Sequence, residues 1–277
     1  MQGSRTLIAA LLTAAVAACG GGGSSAPSSS APTSAAAGVS TTITASINSV
    51  QAANSYALDI WLPPGYAQSA ARYPVVYATD CEYRFLPLTL MLQLRADRGA
   101  TPVILVNICA GPSERRFLDF TMPGAAPYFA FLTKELIPYI DATYRTNPAN
   151  RILSGHSLSG EFVMYALYLE DPAHRFFSSF VSGDGSFWFD SRTYQGEQYG
   201  PAVDMELAMY NASRNLPVNL VLAGGIFSNG PHVAALYATI AGQAFQNLRL
   251  IQTSYALPHV PMDAPSFNDA MTFIFGD

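Results

Sequence analysis

The sequence predicts a three-layer α/β domain on a mostly parallel sheet, and three observations predict it. Two continuous apolar runs, "YPVVYATD" (Tyr73 to Asp80) and "PVILVNICA" (Pro102 to Ala110), have the character of parallel strands covered on both faces. Strand-like runs then alternate with helix-period segments as far as Phe275, which is the pattern of helices packed on two sides of one sheet. Half of the 277 residues are hydrophobic and 12% are charged, enough for one large core, with no internal repeat and no second core.

The elements follow in order. "TTITASIN" (Thr41 to Asn48) and "YALDIWLPPGY" (Tyr56 to Tyr66) predict two early strands, the second stopped by Pro63, Pro64 and Gly65. After the strand at residues 73–80, a short helix is expected over 86–97, and then the strand at 102–110. "PYFAFLTKELIPYIDATY" (Pro127 to Tyr144) has apolar positions at helical spacing and predicts one helix. A short strand, Arg151 to Ser154, leads into a helix from Gly160 to Glu170. Strands follow at Phe176 to Gly183, Val218 to Gly225 and Arg249 to Ala256, with helices over 232–245 and 264–275.

The N-terminus reads as a targeting segment outside the domain. Arg5 precedes an apolar run, Leu7 to Ala18, that is short for a membrane span and suited to a signal peptide. It ends in Val16-Ala17-Ala18-Cys19-Gly20, which resembles a bacterial lipobox. The expectation is a signal peptide over 1–18 and acylation of Cys19, with an ordinary signal peptide and a chance cysteine as the alternative. Residues 19–38 are Gly/Ser/Ala/Pro-rich and read as a flexible tether, leaving one domain over 39–277. The chain is therefore expected to be exported and lipid-anchored on the periplasmic or cell-surface side, touching membrane only through Cys19. A formal charge of −5 with no Lys/Arg cluster argues against a nucleic-acid partner.

The chemistry centres on "RILSGHSLSGEF". Gly155-His156-Ser157-Leu158 nearly completes a G-x-S-x-G nucleophile turn at a strand-to-helix junction, but Ser159 replaces the last glycine. Serine is small enough to keep the turn, so Ser157 is the expected nucleophile, ahead of Ser159. A Ser/Gly-rich turn without chemistry is the bland alternative. A serine hydroxyl needs a base, and the chain has four histidines. His156 is expected to pack, His174 to lie on the surface, and His232 to sit at a pocket rim.

Several blocks, in order, resemble the "putative esterase" branch of the α/β-hydrolases, which implies the three-layer α/β-hydrolase fold. "WLPPGY" with "YPVVYATD" is similar to its "lPpgY…yPvlYllDG", and "RRFLDFT" to its "R…D(Y/F)T". "ELIPYIDATYRT…RILSGHSLSG" is similar to "El.P.i...Y.t...r.i.GhSlGG", and "SGDGSFWFD" to "iSPSlWWd". The resemblance implies a serine esterase without metal or cofactor, acting on a small-molecule ester through an acyl-enzyme. It places the base last in the chain, at His259. The acid is less defined. "IFSNG" after the strand at 218–225 holds no carboxylate, so Asp184 of "SGDGSFW" is the candidate, with a plain Asp-Gly turn as its alternative. Asp263 is expected to cap the last helix.

The oxyanion hole is expected to use the backbone N–H of Leu158, and the family resemblance places the second N–H at Cys81, where the family's usual residue is glycine. The strands ending near Cys81 and Cys109 are expected to be neighbours, which would allow a Cys81–Cys109 disulfide; two free thiols are the alternative. Arg116 and Asp119 are expected to form an ion pair, and Trp188 to wall the substrate pocket. Two rival functions stand beside the esterase: an acyltransferase on the same fold, and a non-catalytic surface-binding lipoprotein.

Overall fold

A computed structural model describes residues 38–188, 193–194, 197–198 and 201–277. The signal segment, Cys19 and the tether up to residue 37 lie outside the described residues.

Eight strands form one sheet in the order β1-β2-β4-β3-β5-β6-β9-β10. Strands β1 (Thr41–Ser49) and β2 (Asn54–Leu62) pair antiparallel at one edge, and β2 runs antiparallel to β4 (Ile104–Ile108). From β4 onward the pairing is parallel, through β3 (Tyr73–Thr79), β5 (Thr146–His156), β6 (Ser179–Gly183), β9 (Asn219–Gly225) and β10 (Arg249–Tyr255). A two-residue hairpin, β7 (Thr193–Tyr194) and β8 (Glu197–Gln198), lies apart from the sheet.

The two-residue period of the strands divides the core. Val75 and Tyr77 of β3, with Ile104 and Val106 of β4, face one apolar cluster. Val76, Ala78 and Leu105 face the other. The second cluster is closed by α1 (Cys81–Asp97) through Leu88 and Leu92, and by α8 (Asp263–Phe275) through Phe267 and Met271. The first is closed by α2 (Ser113–Phe120), α3 (Ala125–Phe131), α4 (Ile137–Thr143), α5 (Leu158–Leu169), α6 (Pro201–Ala212) and α7 (Gly230–Gly242). This is the expected three-layer α/β-hydrolase arrangement. Helix α5 is buried on every side from Leu158 to Leu167, because it lies under β5 and β6 and is covered by α3 and α6.

Helices α2 and α6 and the β7–β8 hairpin have no counterpart among the expected elements, and three others differ in extent. Helix α1 starts at Cys81 rather than at 86, because Asp80 takes a left-handed conformation (φ 60°, ψ 50°) and turns the chain straight into the helix. The helix expected over 127–144 is α3, a π turn (Leu132–Leu136) and α4. Pro138 has no N–H to donate to the preceding turn, and its ring crowds the carbonyl four residues back, so the ladder widens there. Strand β5 begins at Thr146, five residues early.

Candidate active site

The carboxyl ends of β3, β5, β6, β9 and β10 carry the candidate groups. At the end of β5, Ser157 has φ 61° and ψ −125°, a conformation that L-residues rarely adopt. Holding it costs on the order of 1–3 kcal/mol, and the surroundings over-determine it. Ser157 N–H donates to the Gly183 carbonyl at 2.9 Å, and the Ser157 carbonyl accepts from Ser186 N–H at 3.0 Å and Glu161 N–H at 3.2 Å. A Cβ on Gly155 would sit 2.1 Å from the Ser159 carbonyl oxygen. The first glycine of the motif is therefore obligatory.

Ser159 is fully buried, and its hydroxyl lies within hydrogen-bond distance of three groups, one of them the His156 carbonyl at 2.9 Å. It accepts from His156 N–H at 2.9 Å and faces Asp80 Oδ2, to which it donates, at 2.7 Å. Asp80 is the residue that turns β3 into α1, so this bond links the nucleophile turn to the turn before Cys81. Arg116 grips the same carboxylate through Nε at 2.7 Å and Nη2 at 3.0 Å. The expected Arg116–Asp119 pair is therefore not made: Arg116 pairs with Asp80 and Arg115 with Asp119. On α2, Arg115 and Asp119 are one helical turn apart and share a face, whereas Arg116 points toward the neighbouring strand end.

Cys81 and Cys109 form a disulfide, with their Cα atoms 4.5 Å apart. Glu82 adds a second clip, accepting from Ala110 N–H at 3.2 Å and Gly111 N–H at 2.8 Å. The turn after β3 is thus fastened to the end of β4. Leu158 and Cys81 each open a helix, so neither N–H has an acceptor within its own helix. This is the property an oxyanion site needs.

His259 stands between β10 and α8 with its side chain one-third exposed. Its Nδ1 lies 2.5 Å from Asp184 Oδ2. An ionised carboxylate only accepts, so Nδ1 carries a proton, and in the neutral imidazole Nε2 is then the acceptor. Asp184 is fully buried and has φ 43°. Besides His259, its carboxylate accepts from Ser228 Oγ–H, from Gly225 N–H at 2.9 Å and from Asn229 N–H at 3.2 Å. Burial alone would raise its pKa. The hydrogen bonds from His259, Ser228 and Gly225, with the His259 charge, outweigh burial and hold it below the ordinary aspartate value.

Ser157 and His259 line one cavity of about 500 Å³. His156 lies in its wall, with its ring centroid 4.7 Å from that of His259 and its Nδ1 3.6 Å from Asp263 Oδ1. Burial pushes the His156 pKa down to about 4, against the opposing charge of Asp263, so the ring is neutral at pH 7. Asp263 opens α8 but does not cap it through its side chain. Its carboxylate is held instead by Arg84, through Nε at 2.8 Å and Nη2 at 3.1 Å. Sequence reasoning passed over Asp80, Arg84 and Ser228; the "SNG" after β9, lacking a carboxylate, hid a serine and an asparagine that serve one.

His174 and His232 are exposed and away from this cavity. Trp188 is not part of the cavity wall either. It is half-exposed and its indole N–H donates to Asn229 Oδ1 at 3.0 Å, bracing the residue that holds Asp184. Tyr83, Phe117, Val260 and Pro261 supply the apolar wall instead.

Comparison with known proteins agrees with this architecture. A family model described as "Putative esterase" matches residues 49–225. Ferri-bacillibactin esterase BesA of Bacillus subtilis (strain 168) is 26% identical over 189 residues, covering 58% of this chain and 62% of the relative. The uncharacterized protein YbbA of the same organism is 28% identical over 148 residues, covering 48% of this chain and 57% of the relative. The matches thus span less than two thirds of either relative's length. The crystal structure of an IroE-like serine hydrolase from Shewanella oneidensis superposes with a TM-score of 0.71 at 24% identity, covering 85% of this chain and 80% of that one. It has the same fold.

Proposed function

The chain belongs to the "Putative esterase" family, and from that premise we propose that it is a serine hydrolase of carboxylic esters working through an acyl-enzyme. The observation that carries the reading is the 2.5 Å contact between His259 Nδ1 and Asp184, with His259 and Ser157 on one cavity. Nε2 of His259 takes the Ser157 proton as Oγ bonds to the ester carbonyl carbon. The carbonyl oxygen gains the electron pair and is stabilised by the N–H groups of Leu158 and Cys81. Collapse breaks the bond to the alcohol, which leaves with the proton from His259. A water molecule, deprotonated by the same nitrogen, then releases the acid and restores Ser157. Asp184 keeps the imidazole in the required tautomer and balances its charge while it is protonated.

The similarity to a ferri-bacillibactin esterase brings esters of that kind into consideration as substrates. The N-terminal pattern supports export and anchoring through acylated Cys19, with residues 19–38 as tether. A mass increase on Cys19 that is absent in Cys19→Ser checks the anchor.

Rapid mixing with a p-nitrophenyl ester tests the chemistry. A burst of about one nitrophenolate per enzyme, lost in Ser157→Ala, supports the acyl-enzyme; turnover retained in Ser157→Ala refutes it. Addition of an acceptor alcohol separates hydrolysis from acyl transfer by the product formed.

A further inference from the structure

The mouth of the catalytic cavity is apolar and open to solvent. Tyr83, Phe117 and Val260 line the cavity and are 73%, 47% and 70% exposed. Ile226 and Phe227, 52% and 74% exposed, precede Ser228 on the turn that holds Asp184. These residues belong to the segments following β3, β4, β9 and β10, so they gather at one end of the sheet, the end that carries Ser157. From Tyr83 the apolar surface continues along α1 through Leu86, Leu90 and Leu94, which lie on one side of the helix at successive turns and are 49–67% exposed. Single exposed apolar residues are ordinary; a continuous set around a cavity mouth marks a docking surface.

The charges inside the cavity are closed against each other. Arg84 is bound to Asp263 and Arg116 to Asp80, both through two nitrogens, and the whole chain carries −5. Among the described residues of the cavity, each arginine therefore already has its carboxylate. A polyanionic ester, such as a ferric complex held by three catecholates, would need unmatched cations. An uncharged ester would not.

We propose that the substrate is an uncharged, apolar ester presented at a lipid–water surface, on which the rim of Tyr83, Phe117, Phe227 and Val260 and the leucine stripe of α1 dock. The inference rests on the ester-hydrolase reading above. Because Tyr83, Phe117 and Val260 line the cavity that holds Ser157, a protein partner seated on them would seal it. A lipid surface seated on it delivers the substrate.

The test uses the full chain and three probes: p-nitrophenyl acetate in solution, p-nitrophenyl octanoate embedded in phosphatidylcholine vesicles, and the anionic mono-p-nitrophenyl succinate. The expected kcat/KM for the vesicle-borne octanoate exceeds that for the succinate by at least tenfold. Leu86→Asp with Leu90→Asp lowers the vesicle rate at least tenfold and leaves acetate hydrolysis within twofold. The inference is overturned if the succinate is cleaved as well as the octanoate, or if the double variant keeps its vesicle rate. It is equally overturned if the variant turns a dimer into a monomer on size exclusion while keeping that rate, because the stripe then serves a second copy. An enzyme that cleaves the acetate but shows no surface effect sinks only this inference. A chain that cleaves none of the three sinks the ester-hydrolase reading, and this inference with it.

Discussion

The turn after β5 and the turn after β6 each place one residue with positive φ, Ser157 at the candidate cavity and Asp184 against His259, but they are held by different means. The first is shaped by what the backbone has no room for. A Cβ on Gly155 would overlap the Ser159 carbonyl, and one on Gly160 would come within 2.9 Å of the Gly183 carbonyl oxygen. The second is held by donors from elsewhere: Gly225, Ser228 and Asn229, at and just after the end of β9, converge on one carboxylate. A turn fixed by steric exclusion writes itself into the sequence as glycines. A turn fixed by hydrogen bonds from a distant loop writes nothing local.

Asp184→Asn strikes the second turn hardest. It removes the charge that orients His259, and kcat is expected to fall by about 10²–10⁴-fold with KM little changed. Steady-state kinetics on a p-nitrophenyl ester check this, and a loss below threefold would show that the carboxylate only shapes the turn.

Ser159→Gly probes the first turn and has a smaller effect. It restores the usual last glycine, so an elbow held by sterics alone would not notice. Here the hydroxyl also satisfies His156 N–H and ties the elbow to Asp80. Leaving that buried N–H unpaired costs about 1–3 kcal/mol. The expected result is a lower Tm and a kcat reduced about tenfold, because Leu158 and Cys81 lose their mutual brace. Unchanged melting and turnover would reduce Ser159 to a passive substitute.

Acid titration comes last because it is read in stability and not in turnover. His156 is held neutral by burial, with its folded pKa at about 4 against an ordinary 6.5. Between those values the unfolded chain binds the extra proton, so the stability gained from the neutral ring is full above pH 6.5 and is lost as pH falls toward 4. The loss is on the order of 3 kcal/mol. Asp184 and Asp263, both held below 3.8, act in the same direction but only below that value. Urea midpoints at pH 7, 5.5 and 4 measure the slope, and His156→Gln should flatten it.

These contrasts explain what was legible. Continuous apolar runs marked the central strands, since β3 and β4 are covered on both faces and tolerate no polar alternation. The elbow was legible through its glycines, and His259 through its late position in a family order. Asp184 was half-legible, because Asp-Gly also spells an ordinary turn and its donors lie 41–45 residues on. Arg116 misled because helical spacing does not say which of two adjacent arginines faces Asp119. Trp188 misled because an aromatic beside the acid turn can brace a neighbour instead of facing substrate. Its indole bond to Asn229 puts it in that second role.

The most direct measurement is fluorophosphonate labelling of the full chain, followed by mapping of the modified peptide. If the elbow presents an activated hydroxyl, one adduct forms on Ser157 and forms far more slowly in Asp184→Asn. No adduct, or an adduct on Ser159 or Ser186 with Ser157 untouched, would contradict the account.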